Sequence, residues 1–130
     1  MRRALLTGAL LLATLAPALA GVRVVDGDTI DLDGERIRLI NIDTPETHHP
    51  RCERERVWGE AAKARLTELL KAPGELTVVR ENLDRYRRTL AYVLVGENDV
   101  GDVLIAEGLA VQWKAGPAAK AARLRKWCED

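Results

Sequence analysis

The chain has 130 residues, with 20 Lys and Arg against 20 Asp and Glu, and carries three Trp, two Tyr and no Phe. A balanced charge excludes a broadly basic nucleic-acid binder, so any contact with a polyanion must be local. The length suits one core.

Met1-Arg2-Arg3, an apolar run from Ala4 to Ala16, and Ala18-Leu19-Ala20 have the three parts of a secretory signal peptide. The run is shorter than the roughly 20 residues of a membrane span. We expect residues 1–20 to be a cleaved signal, with residues 21–130 as the domain. The protein would be periplasmic or secreted, with no stable membrane association; an uncleaved anchor is the alternative. Without Arg2 and Arg3 the 20 basic residues become 18 against 20 acidic ones, a charge of −2.

Val22 to Val25 is β-branched, and Asp26-Gly27-Asp28 breaks it. Thr29 to Leu32 alternates into Asp33-Gly34, a two-residue hairpin signal. Glu35 to Ile42 returns as a third strand, with Ile37, Leu39 and Asn41 on one face and Arg38, Ile40 and Ile42 on the other. Thr44-Pro45 ends it. From Glu53 to Lys71, apolar residues recur every three or four positions, which predicts a helix that Pro73-Gly74 stops. Leu76–Arg80 and Leu90–Val95 read as two further strands. Asp102 can cap a short helix ended by Gly108, and a last helix is expected over Ala118–Lys126. The pattern is α+β: a five-stranded antiparallel Greek-key barrel of the oligonucleotide-binding type with about three helices.

Cys52 and Cys128 lie too far apart for a C-x-x-C motif. In an oxidising compartment they are a disulfide candidate, with two free thiols as the alternative. Asp26 and Asp28 follow the first strand, and Asp43 and Glu46 follow the third. Converging carboxylates suit a hard, oxygen-seeking cation, although Asp also favours turns on its own account. Arg38 interrupts an apolar strand and needs an anion. Asp28 or Glu46 would serve, and so would a phosphate held by its fork of donors.

Val25-Asp26-Gly27-Asp28-Thr29, Arg38-Leu39-Ile40-Asn41-Ile42-Asp43-Thr44-Pro45-Glu46-Thr47 and Asp84-Arg85-Tyr86-Arg87-Arg88-Thr89-Leu90-Ala91-Tyr92 together resemble the thermonuclease, or staphylococcal-nuclease-like, family. Glu107-Gly108-Leu109-Ala110 and Trp127 fit the same resemblance. It implies a calcium-dependent nuclease cutting DNA or RNA and leaving 3′-phosphate ends, and a monomer is the default state. It places one calcium ion at Asp28, Asp43 and the Thr44 carbonyl, and catalysis at Arg38, Glu46 and Arg88. Arg85 and Tyr86 fall where the family contacts substrate phosphate or sugar.

Three departures stand out. Arg87 replaces a glycine, Gly101 replaces a frequent asparagine, and Gln112-Trp113-Lys114 replaces tyrosines that often wall the nucleotide pocket. A non-catalytic nucleic-acid-binding module on the same barrel is the alternative. A structural or inhibitor domain would leave Arg38 unexplained.

Overall fold

The computed structural model describes residues 21–129; the expected signal segment, 1–20, lies outside the described residues. The chain order is β1 (Val22–Asp26), β2 (Thr29–Leu32), β3 (Glu35–Leu39), β4 (Ile42–Asp43), α1 (Glu53–Lys71), β5 (Leu76–Leu83), β6 (Thr89–Val95), β7 (Asn98–Asp99), α2 (Val100–Ala106), β8 (Val111–Gln112) and α3 (Pro117–Cys128). This is the expected α+β, oligonucleotide-binding type of fold, with three helices among the described residues.

The main sheet runs β1-β2-β3-β6-β5, with β7 paired to β6. Asp33 and Gly34 turn β2 into β3 with φ of 49° and 86°, the left-handed pair a tight hairpin requires. Two features depart from the sequence reading. The β3–β6 pairing is parallel, Ile37 to Thr89 through Leu39 to Ala91, because α1 and β5 intervene and return the chain in the same direction. No ladder joins β1 to β5 among the described residues, so the barrel stays open there.

The expected third strand also divides. Ile40 and Asn41 leave the ladder, and β4 pairs instead with β8, Asp43 opposite Val111. This break changes the side-chain phase, so Ile42 joins Ile37 and Leu39 in the core instead of facing away from them. Ile30, Leu66, Val93, Val100 and Leu104 complete that core. α2 starts earlier than expected: Asp99, not Asp102, caps it through the Gly101 and Asp102 N–H groups.

α1 packs on β1, α2 and α3. Gly59 lets it approach the loop after β4, since a Cβ there would lie 2.7 Å from the Pro45 carbonyl oxygen. Cys52 caps α1 and is disulfide-bonded to Cys128, the last residue of α3. The bridge fastens the C-terminal helix beside the loop that carries Glu46.

Candidate nuclease centre

Arg38, on β3, is 9% exposed, so each of its donors must find a partner. Nη1 donates to the Leu39 and Ile42 carbonyls. Nη2 lies 3.3 Å from Asp28 Oδ2 and 3.2 Å from Asp43 Oδ1. The sheet break at Ile40–Asn41 makes this possible by folding Ile42 and Asp43 back over the guanidinium. Of the two acids considered for Arg38, Asp28 is a partner; Asp43, and not Glu46, is the second.

Asp28 and Asp43 face each other across that one nitrogen of Arg38. Burial and the neighbouring Asp28 charge push the Asp43 carboxyl up to about 6, against the pull of Arg38 and Arg123. Thr44 is buried; its backbone N–H donates to Asp28 Oδ2 at 3.3 Å, and its hydroxyl oxygen has no partner. Gly27 permits that packing, because a Cβ there would sit 2.8 Å from the Thr44 hydroxyl.

Glu46 stands at the rim. Partial burial first, then the charges of Asp26, Asp28, Asp43 and Glu55, raise its carboxyl to about 7. Its backbone N–H donates to Glu55, which is 0% exposed and gripped by the backbone and side chain of Arg51. Burial raises the Glu55 pKa, but the bonds from Arg51 and Glu46 outweigh it and leave the group below the usual range. The Cys52, Glu55 and Cys128 cluster has metal-capable atoms, yet its sulfurs are bonded to each other and its carboxylate is engaged, so it is not a metal centre.

The turn between β5 and β6 supplies the remaining residues. Asp84 accepts from the Arg88 backbone and Nε, which holds that guanidinium in place. Tyr86 is 63% exposed. Arg85 and Arg88 stack on its ring, at 4.8 Å and 5.4 Å from the centroid. Arg87 adopts φ 64°, the left-handed conformation a glycine would take without strain.

A cavity of about 350 Å³ is lined by Arg38, Arg85, Tyr86, Arg88 and Trp113, among others. A second, of about 190 Å³, is lined by Asp43, Glu46, Arg51, Lys120, Arg123 and Trp127. Arg38 lines the first and Asp43 the second, and these two side chains are paired. The structure therefore gathers the expected residues as two adjoining groups: Arg38, Arg85, Tyr86 and Arg88 in one, and Asp43 and Glu46 in the other, with Asp28 and Thr44 between.

Sequence reasoning missed three supports. Asp84 was legible as an acid four positions before an arginine. The Arg51–Glu55 pair has the i,i+4 spacing at a helix start. Arg123, whose Nε lies 2.7 Å from Asp43 Oδ2, gave no local signal, since only the folded position of α3 brings it there.

The pattern of the family described as "Staphylococcal nuclease homologue" matches residues 36–130. A thermonuclease of Staphylococcus intermedius is 44% identical over 92 residues, and one of Staphylococcus hyicus 40% over 93; each covers 68% of this chain and 55% of the relative. Endonuclease YncB of Bacillus subtilis is 40% identical over 96 residues, covering 68% of this chain and 44% of that protein. This chain spans about half the length of the curated relatives it matches.

Proposed function

The chain belongs to the staphylococcal nuclease homologue family, and from that premise we propose that it is a calcium-dependent nuclease that hydrolyses phosphodiester bonds of DNA or RNA and leaves 3′-phosphate ends. The observation that carries this reading is the convergence of Asp28 and Asp43 on Arg38, beside the cavity that Arg88 and Tyr86 share.

The donor set fits the cation. Asp28 and Asp43 converge on one nitrogen of Arg38, and burial first, then the Asp28 charge, holds the Asp43 carboxyl up to about 6. The three groups Asp28, Asp43 and the Thr44 carbonyl all offer oxygen, which suits calcium better than a softer metal. Asp28, Asp43 and the Thr44 carbonyl would hold the ion. When bound, it would supply positive charge to the phosphate and to the attacking water.

The chain's own groups divide the remaining work. Glu46, once ionised, orients the water and accepts its proton. Arg38 and Arg88 direct donors at the phosphate and stabilise the charge that grows as phosphorus becomes five-coordinate. The bond to the 5′-oxygen breaks, that oxygen takes up a proton from solvent, and the phosphate stays on the 3′ side. Arg85 and Tyr86 hold the neighbouring phosphate or sugar, and Trp113 adds an aromatic wall.

We place the protein outside the cytoplasm as a monomer, its domain spanning residues 21–130. No helix among the described residues is long and apolar enough to cross a membrane. The test is hydrolysis of end-labelled single-stranded DNA and RNA by the wild type, Arg38→Ala and Arg88→Ala. Loss of turnover by about two orders of magnitude or more in each variant is expected from removing a transition-state donor. Equal rates in all three would contradict the reading.

A further inference from the structure

α3 carries four cations, Lys120, Arg123, Arg125 and Lys126, and no acid from Pro117 to Cys128. Ordinary electrostatics explains three of them. Arg125 and Lys126 lie in the last turn, where the negative end of the helix dipole favours cations. Arg123 pairs with Asp43, and its Nη1 donates to the Lys114 carbonyl at 3.0 Å.

Lys120 is not explained in this way. Its backbone N–H closes the first helical turn on Gly116. That turn contains no acid, so the ammonium stands near the positive end of the helix. Lys114, Lys120 and Lys126 form ion pairs with no acid among the described residues.

These cations line a run of cavities. Lys120 and Arg123 wall the 190 Å³ cavity beside Asp43 and Glu46. Arg123 also walls the next, of about 240 Å³, together with Gln112, Lys114 and Lys126. Across the Arg38–Asp43 pair opens the cavity of Tyr86 and Arg88. A single small anion would need only one of the three. A single strand carries a phosphate at every nucleotide and would use them all.

We propose that the basic face of α3 is a track for a single-stranded polynucleotide, with Lys114, Lys120 and Lys126 taking phosphates beyond the one held between Arg38 and Arg88. The track rests on the proposed function and extends it to substrate length: long strands gain contacts that a dinucleotide cannot reach. The disulfide at Cys128 keeps the track aligned with the site.

The test is fluorescence anisotropy across a salt series, in calcium, with Glu46→Gln as the common background so that the probes are not cut. The probes are a labelled dinucleotide and a labelled oligothymidylate of about twelve nucleotides, within the span of one oligonucleotide-binding fold. Adding Lys114→Ala, Lys120→Ala and Lys126→Ala should weaken the long probe by about tenfold or more and reduce the slope of log K against log salt by about two. Dinucleotide affinity should fall far less than that of the long probe, and Lys→Arg replacements at the same positions should restore the parent values.

Unchanged affinity for the long probe, or equal loss for both probes, would overturn the track. So would a loss seen only with phosphatidylglycerol vesicles, which would assign the face to a membrane surface. Hydrolysis by the unsubstituted chain is measured alongside: if it cuts no nucleic acid, the proposed function falls, whereas cutting with an unaffected triple variant removes only the track.

Discussion

Asp84 holds Arg88 at two points, accepting the backbone N–H at 2.9 Å and the Nε–H at 2.7 Å. The same carboxylate takes the Tyr86 N–H at 2.8 Å, so one side chain shapes the turn and aims its arginine. In the proposed mechanism Asp84 is a positioning residue. Asp84→Ala removes charge-assisted bonds worth about 1.5–3 kcal/mol each, enough to lower kcat roughly 10- to 100-fold if Arg88 swings away. KM and calcium affinity should move little, and Asp84→Asn should fall between. Turnover within about twofold of wild type would show that Arg88 needs no such anchor.

Arg87 tests whether that turn is strained. Its left-handed φ of 64° costs a non-glycine residue about 1–2 kcal/mol, while glycine loses about 0.5–1 kcal/mol in backbone entropy. Arg87→Gly should therefore raise stability slightly, by at most about 1.5 kcal/mol in urea unfolding, and change turnover less than about threefold. Full activity in Arg88→Ala would instead show that Arg87 performs the role assigned to its neighbour.

The carboxylate cluster predicts the pH dependence of the calcium-free protein. Glu46 and Asp43 have folded-state pKa values raised to about 7 and about 6, so between the ordinary carboxylate range and pH 7 the native state binds more protons than the unfolded one. Stability must fall as pH rises through that window. Asp31, Glu35, Glu55 and Asp84 are shifted downward, so they are ionised in both states there and act only at lower pH. Thermal unfolding in chelator should show Tm decreasing from about pH 5.5 to 7.5, with a shallower slope in Glu46→Gln. A Tm that rises across the window would contradict the cluster.

Much of the fold was legible because its signals are local. The Asp33-Gly34 hairpin, the bounds of α1 and the Pro73-Gly74 stop depend on nearest neighbours. The parallel β3–β6 pairing, the break at Ile40–Asn41 and the open edge between β1 and β5 depend on distant segments, which periodicity does not report. The site divides along the same line. The resemblance reached Asp28, Arg38, Asp43, Glu46 and Arg88, whereas Arg123 meets Asp43 only once the disulfide and α3 packing have set its position.

The Cys52–Cys128 bridge joins residues 76 positions apart. Loop-entropy reasoning credits such a closure with about 4 kcal/mol, and measured bridges commonly contribute 2–4. Cys52→Ser with Cys128→Ser should lower unfolding free energy by about 2–4 kcal/mol and expose Trp127, the buried residue of the last turn of α3. Intact mass two hydrogens below the reduced chain would confirm the bridge in solution. Two alkylatable thiols without reductant would refute it.

Hydrolysis of single-stranded DNA during a calcium titration, followed by excess chelator, tests the central claim most directly. The account predicts activity that appears in roughly the millimolar range of calcium, as weak extracellular calcium sites do, and disappears on chelation. Asp43→Ala should lose calcium binding and turnover together, while Glu46→Gln loses turnover and keeps the ion. Undiminished hydrolysis in excess chelator would contradict the account.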